Sequence, residues 1–181
     1  MDCLRKFWGH LKTITIHKWR VMKLCFRCGL YKQGILHDLS KYSPVEFFAG
    51  VKYYQGNRSP INREKELHGY SLGWLHHKGR NKHHWEYWLD NGNEHQGIQA
   101  IQMPTRYVVE MFCDRVAASR TYMKENYHDG SAYQYFYDGY HYVWLHPISK
   151  ALIEELLIYL RDHGLDETIL HIRKDILQNK M

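Results

Sequence analysis

The 181-residue chain is long enough for one domain with its own hydrophobic core. Its 44% hydrophobic and 24% charged residues are typical of a soluble globular protein. No stretch approaches the roughly 20 apolar residues of a membrane span, and the N-terminus lacks the apolar segment and cleavage site of a secretion signal. We therefore expect a cytoplasmic protein without a membrane segment. The net charge of +6 is spread along the chain and suits a phosphorylated substrate, weak nucleic-acid binding or an ordinary basic surface.

Apolar residues at steps of three and four predict a first helix over about residues 4–30. His17 falls on the same face as Ile14 and Val21, so this imidazole lies within an apolar stripe. Cys25 and Cys28 form a lone C-x-x-C on that face, where free thiols pack as small hydrophobic groups. We interpret the two cysteines as structural and reduced.

An adjacent histidine and aspartate, His37 and Asp38, follow this helix and are flanked by apolar residues. Buried imidazole and carboxylate groups need a partner, and a divalent cation suits both because both are good ligands for first-row metals. The sequence Ser43-Pro44-Val45-Glu46 that follows is a capping box with proline at the first helical position. The pair is therefore predicted just before a helix that begins at Pro44.

A cluster of histidines lies at a predicted corner between two further helices. The first helix is predicted over about residues 62–77, and the second begins after an Asn81 N-cap and runs through residues 85–89. Helical phase favours one histidine of each neighbouring pair and leaves the other as the alternative: His77 over His76, and His84 over His83.

A helix predicted to begin at Pro104 carries an acidic residue within its apolar face. The stripe consists of Tyr107, Met111, Asp114 and Ala118, and Asp114 is its only carboxylate. An unpaired buried carboxylate is costly. Asp114 is therefore predicted either to bind a metal or to form a salt bridge with an arginine.

The C-terminal third is predicted to be partly helical. Residues 127–142 are rich in Tyr and Gly and fit a lid, a short hairpin or irregular packing. A helix begins at Pro147 and ends at residues 162–164, and a last amphipathic helix covers about residues 166–178. The sequence thus predicts one all-α domain over residues 1–181, a compact bundle of about six to eight helices. Its metal-site core spans residues 14–118, and the Tyr-rich segment and C-terminal helices span residues 127–181.

Ionisable residues recur at predicted buried positions too often to be unrelated. Imidazoles and carboxylates without thiolates suit one or two divalent transition-metal ions, with Mn, Fe, Zn, Co and Ni all compatible. The candidate ligands are His17, His37, Asp38, His77, His84 and Asp114.

The order His…His-Asp…Asp on separate helices resembles the HD-domain metal-dependent phosphohydrolase superfamily, and the intervening histidines are similar to its two-metal branch. The string His-Asp-Leu-Ser-Lys-Tyr-Ser-Pro-x-Glu-Phe, with the later Asn-Lys-His-His-Trp-Glu-Tyr-Trp, also resembles a group of short bacterial and phage proteins. The resemblance implies an HD-like helical bundle that hydrolyses a phosphoester, such as a nucleotide.

The resemblance also implies roles for individual residues. Asp38 would bridge two ions, and Lys41 would contact the substrate phosphate, with Arg80 and Lys82 adding positive charge. Because adjacent residues on a helix diverge by about 100°, His37 and Asp38 can share a metal only at its edge or at a turn. The first ion would be held by His17, His37, Asp38 and Asp114, and the second by His77 and His84.

Three other functions are also compatible with the sequence. A di-iron oxygenase would use the same ligands with an organic substrate. A metal-stabilised protein without catalysis would bind metal and turn nothing over. A peptide or nucleic-acid binding module would need no metal, although no known nucleic-acid motif appears in the chain.

Overall fold

The computed structural model describes residues 3–93 and 97–178 and shows an all-α bundle, as the sequence predicts. The helices formed by these residues are α1 (Cys3–Arg27), α2 (Tyr31–Leu36), α3 (Pro44–Tyr53), α4 (Pro60–His68), α5 (Leu72–Lys78), α6 (Thr105–Met123), α7 (Ser131–Asp138) and α8 (Pro147–His171). Two short strands, β1 (Leu89–Asn91) and β2 (Ile98–Ala100), pair antiparallel with Leu89 opposite Ala100.

The main hydrophobic core lies where α1, α6, α7 and α8 meet. Val21, Phe112, Val116 and Leu156 are among its fully buried side chains. Burial of each such aliphatic or aromatic side chain stabilises the fold by about 1.5–3 kcal/mol. Because α1 packs directly against α6, this core fixes the relative position of any functional residue on those two helices.

Three free cysteines belong to the same core. Cys25 of α1, Cys28 just after that helix, and Cys113 of α6 are all buried and unbridged. Their burial among apolar side chains agrees with the interpretation of the C-x-x-C as a packing feature.

Proline and capping residues set several helix starts. Ser43 is the N-cap of α3 and accepts a hydrogen bond from the backbone N–H of Glu46, and Pro44 occupies the first turn. Pro147 begins α8 in the same way. The predicted end near residue 164 corresponds to an interruption of α8 at Gly164, where φ is +77°, a conformation that glycine adopts without steric cost.

The region around residues 62–89 differs from the prediction. The helix expected over residues 62–77 is divided into α4 and α5 at Gly69, whose φ is +78°. The helix expected from Asn81 through residue 89 is wrong: it is a single 3₁₀ turn, Trp85–Trp88, followed by β1. Asn81 does not cap a helix, because its amide donates to the Ser40 hydroxyl and to the His77 carbonyl.

The Tyr-rich segment of residues 127–142 is largely helical. Its central part forms α7, which rules out the hairpin alternative for these residues. Across the described part of the chain, the helices are too short or too polar to cross a bilayer.

Candidate metal centre

The His37-Asp38 pair lies at the turn after α2. Asp38 adopts a left-handed conformation with φ 54° and ψ 22°, which is unusual for a residue other than glycine. This break in helical geometry allows two adjacent side chains to point to one place. Lys18 of α1 holds the turn by donating hydrogen bonds of 2.7 Å to the carbonyls of Ile35 and His37.

A first group of potential ligands surrounds Oδ2 of Asp38. Nε2 of His17 lies 3.6 Å from this oxygen and 2.9 Å from Oδ1 of Asp114. Nε2 of His37 lies 3.3 Å from Oδ2 of Asp38 and 3.6 Å from Oδ1 of Asp114. Thus α1, the turn after α2, and α6 bring together the four residues predicted for the first ion, and this group could hold a metal ion.

A second group surrounds the other oxygen of the same carboxylate. Nε2 of His77 lies 3.3 Å from Oδ1 of Asp38, and Nε2 of His83 lies 3.5 Å from it. Nε2 of His84 lies 2.9 Å from Nε2 of His77. These four residues form another group that could hold an ion, so Asp38 presents one oxygen to each group.

The spacing and the lack of hydrogen bonds fit metal ligands. Nitrogen and oxygen atoms bound to one ion at about 2.0–2.2 Å lie about 2.8–3.6 Å apart, and the distances quoted above fall in this range. Oδ1 of Asp38 and Nε2 of His17, His37 and His83 are buried, and no hydrogen-bond partner is found for them among the described residues. Such atoms are rare in native proteins unless an ion or a water satisfies them.

One histidine of the corner, His83, occupies a different position from that expected. His83 is buried and belongs to the second group, whereas the predicted helical phase pointed it elsewhere. Helical phase does not apply to His83 because residues 81–84 are not helical. His76 belongs to neither group, and its Nδ1 donates a hydrogen bond of 2.6 Å to Oε1 of Glu46.

Two buried glutamates orient the imidazoles. Oε2 of Glu46 lies 2.7 Å from Nδ1 of His77, and Oε1 of Glu110 lies 2.9 Å from Nδ1 of His37 and 3.2 Å from Nδ1 of His83. An ionised glutamate only accepts, so each Nδ1 donates, and once the ring is neutral its Nε2 lone pair faces Asp38. Carboxylates commonly orient metal-binding histidines in this way.

The roles of the two glutamates differ from what the sequence pattern predicts. Glu46 has the position of a capping-box glutamate, but its side chain binds histidines of α5 instead of the N-cap backbone. Glu110 lies one helical turn before Asp114 on α6, and this i, i+4 spacing was an available signal that both carboxylates share a face.

A model for a family of unknown function (DUF5662) matches residues 6–158. The chain belongs to this family. All residues of the two groups, and both orienting glutamates, lie within the matched region. No curated protein and no solved structure matches the chain.

The charges of this DUF5662 protein suit metal coordination. Burial alone would raise the pKa of Asp38, but the positive charges of His37, Lys41 and His77 hold it well below its usual value. Burial and the neighbouring His83 and His77 lower the pKa of His84 well below its usual value. An ionised carboxylate and a neutral imidazole are the forms that bind metals.

The predicted substrate-binding cations lie in different places. Nζ of Lys41 is 2.5 Å from Oδ2 of Asp38, beside the first group, with a quarter of its side chain exposed. Arg80 donates to the carbonyl of His76 on the outer side of α5. Lys82 lies over the rings of Tyr87 and Tyr107. Of these three cations, Lys41 is the one in contact with a residue of the metal centre.

Proposed function

We propose that the chain is a metal-dependent phosphohydrolase of the HD type, cleaving a phosphoester at a centre built on Asp38. The observation that carries the proposal is the convergence of two groups of ligand atoms on the two oxygens of this one carboxylate. The order of these residues along the chain, with His17 before the His37-Asp38 pair and Asp114 after it, matches the order in the HD superfamily.

The donor set supports one or two divalent transition metals. Imidazole and carboxylate ligands without thiolates accept Mn, Fe, Zn, Co or Ni. When bound, such ions polarise phosphoryl oxygens and lower the pKa of a coordinated water toward neutrality. The histidines supply neutral donors, and Asp38 and Asp114 supply the negative charge that retains a divalent cation.

Lys41 is the group proposed to bind the substrate phosphate. Burial alone would lower its pKa, but Asp38 and Asp114 raise it, so the side chain is an ammonium at neutral pH. Its partial exposure leaves donors for phosphate oxygens next to the metal centre. In the reaction, a water oxygen bonds to phosphorus, the ester P–O bond breaks, and the alcohol leaves with a proton.

Elemental analysis and a phosphoester screen test this function. Protein purified without chelators is expected to contain at least one transition-metal ion per chain and, with that metal present, to release inorganic phosphate from a phosphoester. Lys41→Met should retain the metal and lose activity mainly through weaker substrate binding, seen as a raised KM. Lys32→Met, an exposed lysine of α2, is the matched control and should behave as the native protein.

Three results would count against the proposal. Metal-free protein that is fully folded would remove its basis. Stoichiometric metal with no phosphoester turned over would favour a metal-stabilised protein without catalysis. Bound iron with oxygen consumption and an organic product would favour the oxygenase alternative.

A further inference from the structure

The positive charge of the chain is concentrated near its N-terminus. Eight of the 25 lysines and arginines, and none of the 19 acidic residues, lie between positions 3 and 37. The other residues carry slightly more acidic than basic side chains, so the net charge of +6 is not spread evenly, contrary to the sequence-based expectation. A segment with this charge attracts polyanions and anionic surfaces.

Aromatic side chains line the outer side of α1. Trp8, Trp19 and Phe26 are separated by eleven and seven residues, about three and two helical turns, so they share one side of the helix. The exposed fractions of the two tryptophans are 63% and 55%. Lys12 and Lys23 are exposed on the same side, and Nζ of Lys23 lies 5.3 Å from the centre of the Trp19 ring. The outer side of α1 therefore combines aromatic and cationic groups.

The segment after α1 folds back along the helix and widens this surface. At one end the centres of the Tyr31 and Phe26 rings are 5.3 Å apart, and at the other the Tyr42 hydroxyl lies 3.1 Å from the Thr15 hydroxyl. Apolar side chains of this segment are exposed as well: Tyr31, Ile35, Leu36, Leu39 and Tyr42. We call this segment together with the outer side of α1 the N-terminal face.

The charge of the N-terminal face opposes pairing with a second copy of the chain. In a two-fold dimer built on this face, the same cations of both copies would meet each other. No acidic residue lies between positions 3 and 37 to compensate them. Because like charges in an interface oppose association, the partner of this face must carry negative charge.

The shape and composition of the face favour a bilayer over a nucleic acid. Two chain segments of about 10 Å each, side by side, form a surface about 20 Å wide, which is too wide for the major groove of about 12 Å. Single strands bind in grooves where bases stack on aromatic rings, whereas this face is the outer side of a helix and adds aliphatic Ile35, Leu36 and Leu39. An anionic bilayer accepts all three kinds of side chain: aromatic rings at the headgroups, aliphatic groups at the acyl boundary, and lysines beside anionic lipids.

We propose that the N-terminal face binds the surface of an anionic lipid bilayer. Trp8, Trp19 and the apolar side chains of the following segment would enter the boundary between headgroups and acyl chains. Lys12 and Lys23 would extend to the anionic headgroups. This interaction uses no ligand atom of the metal centre and does not depend on the proposed hydrolase activity.

Co-sedimentation with vesicles tests the proposal. The probes are vesicles of phosphatidylcholine alone and vesicles of equal amounts of phosphatidylcholine and phosphatidylglycerol. At about 0.1 M salt, where the Debye length is about 10 Å, the native protein should bind the mixed vesicles at least about tenfold more tightly than the neutral ones. The affinity for the mixed vesicles should fall as salt is added, because salt screens the attraction.

Two matched pairs of variants locate the binding surface. Lys23→Gln should weaken binding to the mixed vesicles about fivefold, the contribution of one lysine near an anionic surface. Its control, Lys65→Gln, removes a lysine of α4 whose Nζ also lies 5.3 Å from a tryptophan ring centre, and should change binding less than about twofold. Trp19→Ala should weaken binding at least about threefold, whereas Trp144→Ala, which removes a tryptophan with a similar exposed fraction of 57%, should not weaken it.

Metal content and circular dichroism show whether each variant keeps the native fold. No binding of the mixed vesicles by the native protein, or equal binding of both kinds of vesicle, would overturn the proposal. Equal effects of the two members of either pair would do the same. Binding of duplex DNA or single-stranded RNA that is weakened by Trp19→Ala, in a protein that does not bind the mixed vesicles, would assign the face to nucleic acid instead. Phosphoester hydrolysis is measured separately, so these outcomes leave the proposed function unaffected.

Discussion

The two sides of Asp38 differ in chemistry. Oδ2 faces a group with a second carboxylate, Asp114, and two histidines. Oδ1 faces a group of three histidines with no carboxylate besides Asp38 itself. A divalent cation on the first side would interact with the negative charges of two carboxylates, Asp38 and Asp114. A cation on the second side would interact only with the charge of Asp38, which both ions share. We therefore expect the first side to bind its ion more tightly.

The two sides also differ in how they are built. His17 and Asp114 lie on the long helices α1 and α6, which pack on the main core. His83 and His84 lie on a short non-helical stretch after α5, and His77 is the second-last residue of that seven-residue helix. The first side is therefore positioned by the core, whereas the second depends on local hydrogen bonds. Substitutions on one side should therefore affect metal binding there without an equal effect on the other side.

The largest expected effect comes from the shared carboxylate. Asp38→Asn keeps the size of the side chain but removes the charge common to both sides, so metal content should fall to background. Elemental analysis after purification without chelators measures this. Asp166→Asn changes an exposed aspartate of α8 and is the control, which should retain full metal content. A folded Asp38→Asn protein with stoichiometric metal would disprove the assignment.

The next largest effect is expected from substitutions that remove one ion at a time. Asp114→Asn should remove the ion of the first side, and His84→Gln should remove only that of the second. In the native protein, increasing chelator should release the ions in two steps, with the second-side ion leaving first because its charge is shared. Metal analysis along a chelator titration follows both steps. Release of all metal in one step would show that the two sides do not differ in affinity.

Helical periodicity predicts two residues of the first side, His17 and Asp114. His17 and Asp114 were found because each interrupts an apolar stripe, and long helices in a core keep that phase reliably. The adjacent pair His37-Asp38 was found from its chemistry, although the left-handed turn at Asp38 that lets both side chains converge has no sequence signature. The same helical periodicity also predicts the all-α fold.

The second side was harder to predict because its backbone is not regular. Helical phase selected His84 and left His83 as the alternative, and the structure places both in one group. Glu46 was missed because a capping glutamate and a buried hydrogen-bond acceptor look the same in sequence. Tertiary contacts, here with α5, decide between these roles, and local sequence does not encode them.

The orienting glutamates should give intermediate effects. Glu110 accepts from one histidine on each side, whereas Glu46 accepts from His77 on the second side only. Loss of such a partner typically costs about 10–100-fold in metal affinity. Glu110→Gln should lower the affinity for both ions by this amount. Glu46→Gln should lower only the affinity for the ion of the second side. Competition with a fluorescent chelator measures the two affinities, and equal profiles for the two variants would contradict the division into sides.

Proton competition should affect both sides as well. Burial opposes protonation, but the charge of Asp38 raises the pKa of His37 well above its usual value and also raises that of His77 in the metal-free protein. Below these raised values an incoming ion must displace a proton from each imidazole. Affinity should therefore rise with pH from about pH 6 to pH 8 by up to about tenfold per pH unit for each proton. Calorimetry in buffers of different ionisation enthalpy counts the released protons, and a pH-independent affinity would contradict this picture.

The smallest expected effect lies at the turn that joins the two sides. Lys18 donates to the carbonyls of Ile35 and His37, and Lys18→Met leaves both acceptors without this donor. The free energy of unfolding should fall by about 1–3 kcal/mol, and metal affinity should fall less than about tenfold because no ligand atom is lost. Lys12→Met, an exposed lysine on the same helix, is the matched control. Denaturant unfolding of the metal-free and metal-loaded proteins separates the two effects. An equal loss of unfolding free energy in both forms would show that Lys18 supports the turn alone. A larger loss in the metal-loaded form would show that Lys18 also sets the ligand geometry.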